Sequence, residues 1–212
     1  MWGWYNAGAG VTGTTNVTGW ADQSGGGNDL ILANGSLPLE LVPSAINALP
    51  AIKSKGSGVN YGAFLSSANV PALTTGSVYI VAKQSAADAA LQSGQGKFVV
   101  SNGNFIIQRF DALQADSFVA MTSAGSQTPM IAATNDVFYT AALILSSNAM
   151  DFSLNAGTSV LGTSSDPLAA SALSVFGRGD KQIAEIIIYT ATHNSTQQGQ
   201  VKNYLRTKYN HY

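Results

Sequence analysis

Up to Asn194 the apolar residues of this chain come in short runs, each stopped by Gly, Asn, Ser or Pro; only the segment beyond carries them at helical spacing. An α/β domain would set long amphipathic helices between its strands, so the pattern speaks against that class. It predicts short strands at 78–83, 97–100, 104–110, 117–122, 138–145, 150–154, 172–176 and 183–189. Pro38, Pro43 and Pro50 rule out a continuous helix across the region they punctuate. The spacing has no βαβ rhythm, and the expectation is an all-β antiparallel sandwich with a short C-terminal helix.

Individual segments sharpen this. Met150, Phe152 and Leu154 alternate with Asp151, Ser153 and Asn155, the mark of a strand with one face on a core and the other in water. Val78, Ile80 and Ala82 share one face of their strand, and Tyr79, Val81 and Lys83 the other. Residues 183–189 are apolar on both faces apart from Glu185, which predicts a central strand covered on both sides. A carboxylate there belongs at a sheet margin or against a cation, because an unpaired buried charge is costly. After Asn194 or Ser195 as N-cap, Val201, Tyr204, Leu205 and Lys208 follow helical spacing and are expected to pack on the sandwich edge. Lys202, Arg206 and Lys208 suit the negative end of the helix dipole and read as a solvated face.

Composition narrows function. The 212 residues include 10 Lys and Arg against 11 Asp and Glu, a charged fraction of 10%, where about 25% is usual. Ten scattered cations do not make the basic stripe that nucleic acid requires. There is no run of about 18 apolar residues to cross a membrane, and residues 1–10 lack the basic start and apolar body of a signal peptide. With no Cys, disulfides and thiolate catalysis are excluded. Glycoside hydrolysis needs two carboxylates about 5–10 Å apart, but Glu40 and Glu185 stand in unrelated segments without a near carboxylate neighbour. His193 and His211 lack metal-ligand spacing, and no Gly-x-Ser-x-Gly elbow is present.

The candidate binding residues lie early in the chain. Residues 20–29, Trp-Ala-Asp-Gln-Ser-Gly-Gly-Gly-Asn-Asp, form a tight loop in which Asp22, Asn28 and Asp29 present hard oxygens. Turn capping is the preferred reading and a calcium ion the alternative; no other cofactor is expected. Trp2, Trp4 and Trp20 are either packing groups that close the first and last strands together or stacking platforms for sugar rings, with packing preferred. Tyr61 is the further candidate for stacking on a ligand. Arg178-Gly-Asp180 reads as a turn before the last strand.

Three separated segments, in order, carry a resemblance: residues 17–29 as a Trp-x-Asp-x-Ser-Gly-x-Gly turn; Asn47-Ala-Leu-Pro-Ala-Ile52 followed by Gly56-Ser-Gly58 and Asn60-Tyr61; and residues 177–189 with the 201–205 helix segment. Together they resemble the concanavalin A-like lectin/glucanase superfamily, in particular LamG-like jelly-roll domains of phage virion and bacterial surface proteins. The resemblance implies a two-sheet jelly roll over 1–212 as one domain. It also implies a noncatalytic structural or adhesion module of a phage virion, as capsid decoration or tail fibre, with glycan or receptor contact. The alternative is a bacterial extracellular carbohydrate-binding domain, and third comes a polysaccharide hydrolase, whose clustered acidic residues are missing. Expected partners are other virion proteins or a surface glycan, with a homotrimer as the assembly and a virion or extracellular surface as the location.

Overall fold

The computed structural model describes residues 1–33, 37, 39–54, 64–85, 96–101, 103–110, 117–122, 125–164, 168–176 and 179–212. In chain order the strands are β1 (Gly3–Asn6), β2 (Val11–Thr12), β3 (Gly19–Trp20), β4 (Leu30–Leu32), β5 (Leu39–Ile46), β6 (Leu49–Ser54), β7 (Phe64–Val70), β8 (Thr75–Gln84), β9 (Gly96–Ser101), β10 (Phe105–Phe110), β11 (Ser117–Thr122), β12 (Ile131–Ala132), β13 (Tyr139–Ser146), β14 (Ala149–Leu154), β15 (Val160–Thr163), β16 (Ser171–Val175) and β17 (Lys181–Tyr189), followed by helix α1 (Ser195–Tyr209).

The strands form two antiparallel sheets of a jelly-roll β-sandwich. One runs β15-β14-β13-β8-β17-β6-β5, with β1 also on β17; the other runs β12-β11-β10-β9-β16-β7-β4-β3-β2. Pro43 falls in β5, at the end of its sheet, where the register shifts between Val42 and Ile46. An end strand with a bulge is where a residue without an N–H is tolerated.

Alternation sorts the first sheet's side chains into two apolar clusters. Val78, Ile80 and Ala82 of β8, Ile183, Ile186 and Ile188 of β17, and Met150, Phe152 and Leu154 of β14 join the core between the sheets. Tyr79 and Val81, with Ala184 and Ile187, point the other way, into a second cluster completed by Leu205 and Tyr209 of α1. The helix therefore covers the outer face of the first sheet and not the sandwich edge that its amphipathic pattern suggested. That face needed a cover: burying each large apolar side chain contributes about 1.5–3 kcal/mol, and β8 and β17 are apolar on both faces.

Local chemistry starts the helix where the sequence predicts. Asn194 is the N-cap: its side chain accepts from the Gln197 N–H while the Gln197 side chain accepts from the Asn194 N–H, each at 3.0 Å. This reciprocal box satisfies two of the backbone donors a helix start leaves open. At the other end Asn210 takes a left-handed conformation and its N–H closes on the Arg206 carbonyl.

Candidate functional site

The early loop is organised around one carboxylate. Asp22 Oδ1 accepts from the backbone N–H groups of Trp4 (2.9 Å) and Ser24 (2.8 Å), and Oδ2 from the Ser24 hydroxyl (2.7 Å) and the Asn28 N–H (3.1 Å). Burial works to raise the Asp22 pKa, but these hydrogen bonds outweigh it and hold the group below the usual carboxylate range. Asp29 in turn accepts from the Asp22 N–H at 2.8 Å. Gly25 and Gly27 take φ of +83° and +69°, which only glycine adopts without strain, so the chain can fold back around Asp22. Asn28 reaches the Trp2 carbonyl through its amide, and the Tyr5 hydroxyl donates to the Asn28 carbonyl at 2.6 Å. The loop thus clamps β1 and fixes the backbone of Trp4. Among the described residues no three His, Cys, Asp or Glu side chains gather as a metal set. Tyr61 lies outside the described residues, as does Arg178.

A second carboxylate organises the opposite end of the chain. Glu185 is 0% exposed, in the middle of β17 between β8 and β1, so of the two expected placements it is the cation that holds. Its Oε1 accepts from Trp4 Nε1 (2.7 Å) and the Tyr204 hydroxyl (2.9 Å). Its Oε2 accepts from Lys208 Nζ and the Tyr209 hydroxyl, both at 2.7 Å. Burial, and then the Glu185 charge, push both phenols above the usual tyrosine range, so they remain donors. Lys208 is therefore turned inward, not solvated as its place on the helix suggested. With both oxygens occupied and no exposed surface, Glu185 holds α1 and β1 onto β17.

That node forms the side of an open groove of about 360 Å³ between the helix and the strands β1 and β17. Trp4, Tyr189 and Tyr204 give it three aromatic walls, Ile187 and Val201 add apolar surface, and Gln200 supplies an amide. The Trp4 indole N–H and the Tyr204 hydroxyl are fastened to Glu185, and the Tyr189 ring packs 4.2 Å from His193. Tyr204 is nevertheless 39% exposed. The groove offers ring faces held in place and a polar side chain at their edge, which suits an amphipathic ligand. Trp4 therefore packs against the apolar cluster on the outer face of the first sheet and also lines the groove. Nothing local groups it with Tyr189 and Tyr204; the pairing of the first strand with the last does.

No family model matches this sequence, and no curated protein matches it. Solved structures do. The botulinum neurotoxin serotype D binding domain is similar with a TM-score of 0.68 at 9% identity, over 95% of this chain and 51% of that one. Domain 4 of AbnA, a GH43 extracellular arabinanase from Geobacillus stearothermophilus, in complex with arabinotriose, has a TM-score of 0.65 at 12% identity, over 95% and 97%. Trypanosoma rangeli sialidase in complex with sialic acid has a TM-score of 0.63 at 14% identity, over 97% and 33%. This chain spans about half the length of the neurotoxin binding domains it matches. At these identities the likeness is one of fold, a jelly-roll β-sandwich.

Proposed function

We propose that this protein is a noncatalytic glycan-contact module whose ligand seats in the groove between α1, β1 and β17. The observation that carries the reading is the set of fixed aromatic faces, Trp4, Tyr189 and Tyr204, beside the Gln200 amide. A sugar ring has apolar C–H faces that stack on such rings and an equator of hydroxyls that need polar partners. Structural neighbours support the class of ligand: the arabinanase domain is in complex with arabinotriose and the sialidase with sialic acid. The Asp22 loop enters as the clamp behind Trp4. A place on a phage virion or a bacterial surface, within the LamG-like branch and as a homotrimer, belongs to the same proposal; capsid or tail genes beside the coding sequence would support the virion setting.

A glycan array followed by calorimetry with neutral oligosaccharides tests the site. The expected result is saturable binding that Gln200→Trp, which fills the groove from the helix side, weakens about tenfold or more. Binding untouched by that change, or no binding across the array, would refute it. Incubation with diverse polysaccharides is expected to release no oligosaccharides.

A further inference from the structure

Helix α1 has a second groove on its other flank. At 100° per residue, Gly199, Lys202, Asn203 and Arg206 lie on the side opposite Gln200, Val201 and Tyr204. With Ala156 and Tyr212 they line a groove of about 300 Å³.

Its charge is one-sided. Lys202 Nζ donates to the Ser153 hydroxyl at 2.8 Å, and Arg206 Nη2 to Asn203 Oδ1 at 3.1 Å, both neutral acceptors. Neither cation belongs to an ion pair among the described residues, whereas Lys208, on the same helix, is paired with Glu185. Burial lowers the Lys202 pKa below the usual lysine range, and only the more distant Asp151 works against that. A half-buried cation whose neighbouring carboxylate, Asp151, forms no ion pair with it leaves free energy for an anion to recover. The space exceeds what a bare ion fills, and Ala156, Gly199 and the Tyr212 ring give it an apolar wall.

We infer that this groove binds the oxyanion of an acidic saccharide, a carboxylate or a sulfate ester, with Lys202 and Arg206 as the charge partners and Tyr212 against the sugar ring. The Tyr212 hydroxyl donates to the Lys202 carbonyl at 3.2 Å, which holds that ring beside the cations. The site shares no lining residue with the first groove, so the two readings fail separately.

The test uses the whole protein and four probes: a hexuronate tetrasaccharide, a sulfated tetrasaccharide, a neutral one of equal length, and inorganic sulfate. At low salt one or both acidic saccharides should bind and shift the backbone amides of Gly199, Lys202, Asn203 and Arg206, which the neutral one leaves in place. Raising NaCl from about 50 to about 500 mM should weaken that binding. Lys202→Met, which keeps the apolar stem, should weaken it about tenfold or more and leave neutral-sugar binding unchanged; Gln200→Trp should do the reverse. The two acidic arms distinguish carboxylate from sulfate ester. Arg206→Gln, at an exposed position, provides a second variant should Lys202→Met fail to fold. Equal affinity for acidic and neutral saccharides, inorganic sulfate as tight as the saccharides, or full acidic-saccharide binding by the Lys202→Met/Arg206→Gln protein would each overturn the inference.

Discussion

Asp22 and Glu185 are both carboxylates that accept four hydrogen bonds, and they hold the structure in opposite ways. Three of the four donors to Asp22 lie within six residues of it, in its own loop, and the fourth is the backbone N–H of Trp4 in β1. The donors to Glu185 stand 19 to 181 positions away, on β1 and α1, and one is a cation. A locally satisfied carboxylate shapes one loop. One satisfied at long range joins three elements, and the aromatic groove exists because those elements meet there.

The sharpest way to break this contrast is Glu185→Gln. It leaves Lys208 without its counter-charge and places an amide where two phenols and an indole all donate, and removing one member of such a buried pair costs about 3 kcal/mol or more. Chemical denaturation should show a loss of that order, with α1 amides losing hydrogen-exchange protection before the strands of the second sheet. Asp22→Ala should cost less, about 1–2 kcal/mol, because its carboxylate is partly exposed and water replaces some of the lost hydrogen bonds. Its exchange effect should stay within residues 22–29 and β1. If the two changes destabilise equally and everywhere, the local and long-range carboxylates do not differ as described.

Acid separates the two regions without mutation. The chain's two histidines flank α1: His193 shares a 3.0 Å hydrogen bond with the Tyr79 hydroxyl and packs on Tyr189, while His211 meets Thr140 Oγ1 at 3.1 Å and packs between Tyr209 and Tyr212. Burial lowers both pKa values, that of His211 to about 4, and the chain's amino terminus adds to the effect at His193. The fold thus favours neutral rings: their contribution is complete above about pH 6.5 and is lost as pH falls through the folded values. After solvent screening this amounts to roughly 1 kcal/mol. The folded Asp22 pKa is also lowered, from an ordinary value of 3.8, so its contribution is whole above that pH and falls away only below it. A pH titration followed by NMR should therefore perturb the ends of α1 before the Asp22 loop; simultaneous loss would count against the separation.

The smallest expected effect is a gain. Gly199 sits within α1 and a Cβ there meets nothing within 4 Å. Gly199→Ala should stabilise the protein by about 0.5–1 kcal/mol through helix propensity, measured as a higher denaturation midpoint. It strengthens α1 while touching neither carboxylate, so it should partly offset Glu185→Gln and leave the Asp22→Ala deficit local.

The parts of the fold that could be read in advance are those with local causes. Residues 117–122 form β11 with the predicted bounds, and the alternation of Met150, Phe152 and Leu154 places all three in the core. The Asn194 cap lies where its side chain and Gln197 can close on each other. Strands β2 and β3, of two residues each, carry no period that a sequence could display, and β5 contains a proline that argues against a strand until its edge position is known.

The sites divide along the same line. Turn chemistry marks Asp22, Asn28 and Asp29 as a group because the loop's own backbone gathers them. The sequence also requires that Glu185, on a strand apolar on both faces, meet a cation if it does not lie at a margin. It did not reveal which cation, since Lys202, Arg206 and Lys208 stand equally on the helix; docking of α1 across the first sheet turned Lys208 onto Glu185 and left the other two lining the far groove. Periodicity determines which residues of an element share a face, because it is set by the backbone's own geometry. Which faces meet is decided by contacts between distant segments: the tryptophans suggested closure of the first strand on the last, but only the register of β1 on β17 and the docking of α1 bring Trp4 to Tyr189 and Tyr204.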